Sequence, residues 1–411
     1  MLFLNQINIF FPRTISSIYL PDLMIEDDEI KKAIVEIEKC QDFLPLVKTL
    51  WRQNDHNTAI TLLKTKLEER KLIINDELIK SALKSMFRET AEAKKGASST
   101  PSESESALVG FRREEFNIIR NELDDPEHFP NLRIIRTKTP DILENWVERV
   151  NLVDRLCETR AFYGFDRLVE NYNALTEMPD SAMNQLFRYP PKNPMEKWLP
   201  AIQVYGEGLY IELREETIKD WQKKNKDWLL ERINEDFRVR MLEESKILSP
   251  LTPVTISWAS KYLMVHSLAH ILINQLVFSC GYSTASLRER LYVSEDSNAP
   301  MAGIMIYTAA GDSEGTLGGL VRLGKPENLG EVFLDALKRA SWCSADPVCS
   351  ESMGGRGSRL INLAACHACT LLPETSCETI NNGLDRAMLV GTPDGRNRGF
   401  MSDLLDENNI F

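Results

Sequence analysis

Residues 342–349 read W-C-S-A-D-P-V-C, residues 362–378 read N-L-A-A-C-H-A-C-T-L-L-P-E-T-S-C-E, and residues 382–386 close the stretch with N-x-L-D-R. Five of the chain's eight cysteines fall here: Cys343, Cys349, Cys366, Cys369 and Cys377. Thiolates are soft ligands, and a Cys-x-x-Cys turn lets two sulfurs share one Zn²⁺ while flanking segments complete the tetrahedron. The spacing C-x5-C-x16-C-x2-C-x7-C offers five sulfurs for four places. Cys366, Cys369 and Cys377 form a compact trio, and the fourth place falls to Cys349 or Cys343. Cys349 is preferred because Pro347 favours a turn that could aim its sulfur, which leaves Cys343 packed beside Trp342. His367 could replace a thiolate, but it lies between two knuckle ligands, where its ring tends to point outward. The expected metal set is therefore Cys349, Cys366, Cys369 and Cys377. A closed four-thiolate site leaves no position for substrate, so the zinc is structural, at about one per chain.

The rest of the chain bounds what can surround that site. With 411 residues it can bury a sizeable core and form two or three domains. Its formal charge of -12 weighs against a protein that coats phosphate backbones unaided, because such affinity rests on Lys and Arg. DNA contact must then be a local patch or come through a partner. No apolar run reaches the roughly 18 to 20 residues of a membrane span, and the apolar opening lacks the basic region and cleavage site of a secretory signal. The expected location is the cytoplasm, with no membrane partner, where clustered cysteines bind metal more often than they form disulfides. Cys40, Cys157 and Cys280 are scattered and read as small apolar residues.

Hydrophobic periodicity predicts a mixed α/β fold: a helical N-terminal part and a C-terminal α/β module with a four-cysteine zinc knuckle. Residues 1–92 read as short strands followed by amphipathic helices, residues 93–108 as a polar linker, 109–250 as an α/β middle region, and 251–411 as the zinc-bearing domain. Val147, Val150, Val153 and Leu156 recur at helical spacing and predict one helix over 142–168. The G-E-G of residues 206–208 predicts a turn between two strands. Residues 215–246 read as a charged, exposed helix. Residues 262–278 are apolar nearly all round, the mark of a helix buried on most sides. A buried strand at A-G-I-M-I-Y-T, a Gly-rich turn and a helix over 329–340 follow.

Other chemistries find less support. His266 and His270 stand four apart, as in a zinc protease, but Ser267 occupies the place of the catalytic Glu. They read as core histidines bonded to backbone or to a neighbouring side chain. Gly319 to Lys325 has P-loop glycine spacing, yet Pro326 replaces the Mg²⁺-binding Ser or Thr. The loop from Gly311 to Gly319 offers backbone N–H groups that could receive an anion or a partner, although Asp312 and Glu314 oppose a phosphate. Arg288 and Arg290, at a solvated helix end, and Gly315, Gly318 and Gly319 are the candidate partner or DNA contacts. An alternative function is a metal-dependent nuclease or hydrolase built on His266, His270 and Asp312.

The cysteine strings, together with V-H-S-L-A-H, C-G-Y-S-T-A-S-L-R-E-R-L-Y and I-Y-T-A-A-G-D-S-E-G-T-L-G-G-L, resemble the DrmB family of DISARM anti-phage defence systems. That family carries the MrfA-type zinc-binding (MZB) domain also found in DNA-repair helicases. The resemblance is specific over Tyr262 to Gly391 and weaker back to Phe111. It implies a non-catalytic companion of a superfamily 2 helicase: a DrmA-like subunit would hydrolyse ATP while this chain helps bind or load DNA. Two departures stand out. Relatives carry an N-terminal extension with its own cysteine pairs, whose role is expected to be absent here or supplied elsewhere. L-C-E-T-R at 156–160 replaces an expected L-R-E-V-R, which removes a positive charge from a helix facing DNA or the partner.

Overall fold

The structure, a computed structural model, describes residues 10–18, 33, 36–37, 39–40, 43–52, 55–70, 72, 74–86, 107–126, 129–167, 198–244, 254–308, 318–357 and 359–408. The chain divides into two compact units: Leu20–Glu103, and Met1–Tyr19 together with Ser104–Phe411. Most of the expected linker lies outside the described residues. Within the smaller unit, helices α1 (Leu44–Arg52), α2 (His56–Glu69) and α3 (Asp76–Met86) bury Val47, Trp51, Leu63, Leu67, Ile79 and Leu83 in a core of their own. Their apolar residues recur at three and four, which places them on one face of each helix.

The larger unit is built on an antiparallel sheet of strands β1 (Phe10–Ser17), β2 (Arg133–Thr137), β3 (Val147–Arg167), β4 (Ala201–Leu213), β5 (Leu287–Ser294) and β6 (Met301–Thr308). Their order is β1-β3-β4-β6-β5, with β2 also paired to β3. The mixed helix-and-strand class read from the sequence holds. Each face of the sheet has its own cover. Ala302, Ile304 and Ile306 of β6 join the larger core, whereas Met301, Met305 and Tyr307 pack on the opposite face with Phe116 and Ile119 of helix α4 (Ala107–Ile119). Burial on both sides explains why this strand reads as a continuous apolar run.

Two expected elements are corrected. The predicted helix over 142–168 is the long strand β3. Its pairing with β4 shifts register between Val147 and Arg149 and again between Val153 and Leu156. A bulge adds a residue to a period of two, so Val147 and Val150 share one face and Val153 and Leu156 the other, three apart. That spacing imitates a helix. Cys157, expected on a helix facing DNA, is instead a buried residue of this strand. The G-E-G turn is likewise the unbroken strand β4. A Cβ on Gly206 would lie 2.2 Å from the Thr308 carbonyl oxygen, so the glycine permits close approach of β6.

On the larger core's side, helices α5 (Glu215–Lys224), α6 (Lys226–Arg232) and α7 (Glu235–Glu244) take the place of the expected single charged helix. Helix α8 (Ile256–Cys280) runs through the centre, its N-terminus capped by the Thr255 hydroxyl and its C-terminus ended by Gly281 at φ 74. Among the described residues it is the one helix long and apolar enough to cross a membrane, and most of it is buried in the protein. Helices α9 (Gly319–Leu323), α10 (Pro326–Ala340), α11 (Ala387–Val390) and α12 (Ser402–Glu407) complete the unit. On the far face, Arg290 donates to Glu115 at 2.9 Å, and Tyr292 and the Ile18 N–H donate to the same carboxylate. Removing one partner of a buried ion pair leaves the other charge uncompensated. Glu115→Ala is expected to destabilise the protein by about 3 kcal/mol, the low end for such a loss, because Glu158 and Glu378 stay within 3.8 and 3.9 Å of Arg290. A denaturant titration of the two proteins measures it.

Candidate metal centre

The chain leaving α10 turns at once through Cys343 and Cys349 before the knuckle brings up Cys366 and Cys369. The Cys369 and Thr370 N–H groups both donate to the Cys366 carbonyl, and the Cys366 N–H donates to Cys369 Sγ at 3.3 Å. This tight turn presents two sulfurs 3.7 Å apart. Cys343 Sγ stands 3.5 Å from Cys366 Sγ, and Cys349 Sγ 3.8 Å from Cys369 Sγ. The four sulfurs lie within 4.8 Å of one another, and none is in a disulfide. A tetrahedron with Zn–S bonds of about 2.3 Å has edges of about 3.8 Å. The donor set and its spacing therefore fit zinc, and a four-sulfur shell would leave it closed.

The N-x-L-D-R segment holds this geometry. Arg386 donates to both oxygens of Asp346 and to the Ala340 carbonyl, while Asp346 accepts the N–H groups of Cys343 and Ser350. Asp385 is paired through both oxygens with buried Arg232 at 2.5 and 2.8 Å and also accepts the Ala364 N–H. The Cys349 thiol, followed by Thr370, holds Cys369 down at about 5, and the same contact with Cys369 and burial push Cys349 up. Burial raises Cys343 to about 11.

Cys343, expected to be packed, stands with Cys349, Cys366 and Cys369. Cys377, expected as a ligand beside them, does not. It lies in a second cluster with His266, His270 and Glu289, whose ligand atoms are also within 4.8 Å of one another. The spacing of seven after Cys369 suggested proximity, but the chain carries Cys377 toward α8. The two histidines are core residues bonded to backbone, as read: their Nδ1 atoms donate to the carbonyls of Gly383 and Thr370, each at 2.9 Å. Burial opposes charge on His270, but Glu289 and Cys377 outweigh it and raise its pKa to about 9; His266 is raised for the same reason. Both histidines are fully buried, and Asp312, the third member of the hydrolase alternative, lies outside the described residues.

The candidate contacts divide. Arg290 is on strand β5, not at a solvated helix end, and is 0% exposed. Arg288 on the same strand is half-buried, 4.0 Å from Glu158. Gly315 lies outside the described residues. Gly318 is exposed, but the first turn after Gly319 already meets an anion: buried Glu207 accepts the Leu320 N–H at 2.9 Å and the Tyr282 hydroxyl at 2.8 Å. Glu207 and Glu289 were missed because residues 206–208 read as a turn and residues 288–290 as a solvated helix end, whereas each glutamate is a buried residue of a strand.

Residues 268–370 match the family model of MZB, the MrfA Zn-binding domain. That range contains Cys343, Cys349, Cys366 and Cys369 and ends before Cys377. Over 268 residues, 65% of the chain, the sequence is 36% identical to the DISARM protein DrmB of Bacillus paralicheniformis. The match covers 45% of that relative, so the chain spans about half the length of the curated protein it matches. Zinc is the cofactor this domain takes. Cys366→Ser combined with Cys369→Ser is expected to remove about one zinc per chain and lower the melting temperature, because structural zinc contributes directly to folding. Cys343→Ser alone should weaken that same zinc, and Cys377→Ser should leave it in place, as metal analysis with chelator competition would show. The chain thus carries a zinc-binding domain of the MrfA type and is similar, over about two thirds of its length, to a DISARM protein.

Proposed function

We propose that the chain is a non-catalytic, zinc-containing subunit of a bacterial anti-phage defence complex. In this reading it associates in the cytoplasm with a superfamily 2 helicase, a DrmA-like partner, and helps that partner bind or load DNA. The observation that carries the reading is the 36% identity to the DISARM protein DrmB over 268 residues, beside a zinc-binding domain match at 268–370 that contains the clustered sulfurs. A closed four-cysteine site supports a structural metal rather than a catalytic one. Trp342 and Val348, beside the ligand cysteines, are each 69% exposed, apolar surface of the kind a protein partner covers. The net charge of -12 supports a subunit that meets DNA together with another protein.

Affinity purification of the tagged chain from a native host is expected to recover a helicase in stoichiometric amount. Recovery of the chain alone would overturn the assignment. DNA affinity, measured against salt, should be weak for the isolated chain and rise when the helicase is added. Cleavage of DNA by the purified chain with added divalent metal would overturn the non-catalytic role.

A further inference from the structure

The second cluster joins three elements. His266 and His270 sit one turn apart on α8, Glu289 points in from β5, and Cys377 comes from the loop after the knuckle. All four are at most 6% exposed. His266 Nε2 is 3.0 Å from Glu289 Oε1 and 3.2 Å from Cys377 Sγ, and His270 Nε2 is 3.5 Å from Glu289 Oε2. A carbonyl oxygen only accepts, so both Nδ1 atoms must be the donors to Gly383 and Thr370. Each ring therefore turns Nε2 toward the thiol and the carboxylate. Anchoring of the outer ring nitrogen on a backbone carbonyl is how metal-bound histidines are usually held.

We propose that His266, His270, Glu289 and Cys377 hold a second zinc ion. Hydrogen bonding accounts for only part of the arrangement. His270 Nε2 and Glu289 Oε2 face each other at 3.5 Å, fully buried, and neither makes a hydrogen bond of good geometry. Two such atoms at one spot are unusual in a core, where buried polar atoms are nearly always satisfied. A cation at the centre would meet both. It would also meet Cys377, whose sulfur accepts the Asn381 N–H at 3.2 Å. Bonds of about 2.0 to 2.3 Å give tetrahedral edges of roughly 3.3 to 3.7 Å, close to the observed spacings. Charge agrees as well: a dication with one thiolate, one carboxylate and two neutral imidazoles sums to zero, which a buried site requires. Mixed nitrogen, sulfur and oxygen ligands suit zinc.

The two centres share a residue. Thr370 accepts from His270 through its carbonyl and donates its hydroxyl to Cys369 Sγ at 3.2 Å. The second ion would fasten α8, the sheet and the knuckle at one point.

Full-length protein from zinc-supplemented cells, purified without chelator, is expected to contain about two zinc ions per chain by elemental analysis. Cys377→Ser and Glu289→Gln should each retain about one, as should Cys343→Ser combined with Cys349→Ser. A single zinc in the unsubstituted protein overturns the proposal, as does an unchanged count in Cys377→Ser. Where a variant fails to fold, X-ray absorption at the zinc edge of the unsubstituted protein decides. Five sulfurs, two nitrogens and one oxygen over two sites predict a mean shell of about 2.5 sulfurs per zinc. An all-sulfur shell overturns the second site.

Discussion

A helix buried on nearly every side can carry charged and polar side chains only if each finds a partner inside the protein. Helix α8 carries Lys261, His266, Ser267 and His270, all at 0% exposure, and much of the larger unit is arranged to answer them. Lys261 donates to Glu215 on α5 and to the Ser294 carbonyl at the end of β5. Ser267 accepts the Asp385 N–H. The two histidines reach the Gly383 and Thr370 carbonyls on one side and Glu289 and Cys377 on the other. The apolar remainder of the helix supplies burial, while these few polar groups select which segments may lie against it.

The segment answering most of them is the one that also holds the knuckle. Gly383, at φ 85, sits where a Cβ would meet the Tyr262 ring at 2.7 Å, so only glycine lets its carbonyl reach His266. Asp385 and Arg386 then face in opposite senses, toward Arg232 on α6 and toward Asp346 in the cysteine loop. Buried pairs of this sort add little net stability against an apolar substitute, but an unpaired member is costly. Their physical consequence is registry: Cys343 and Cys349 are delivered to Cys366 and Cys369 by a chain of charge-assisted contacts.

Much of this was legible in the primary sequence. The buried helix, the strand at 301–308 and the zinc-knuckle cysteines follow from local pattern, because apolar runs and Cys-x-x-Cys turns act over a few residues. The failures are also physical. Two bulges gave β3 the three-residue spacing of a helix, and its valines and aromatic residues, which favour strands, were outweighed by that period. The glycines of β4 were read for the turn they often make, whereas here they accommodate a neighbouring strand. Arg290 looked exposed because its partners, Ser16 and Glu115, lie far away in sequence.

What the sequence determined by itself is the chemistry: soft sulfur ligands at knuckle spacing, a structural metal, and an acidic chain with an apolar central helix. What only the tertiary structure decided is which ligands share a centre. Cys377 is nearer in sequence to the knuckle than Cys343 is, yet Cys343 joins it and Cys377 goes to the histidines. Spacing measures distance along the chain, and a metal responds to distance through space. That distance is set by the return of the chain over α8 and by the ion pairs that hold it there.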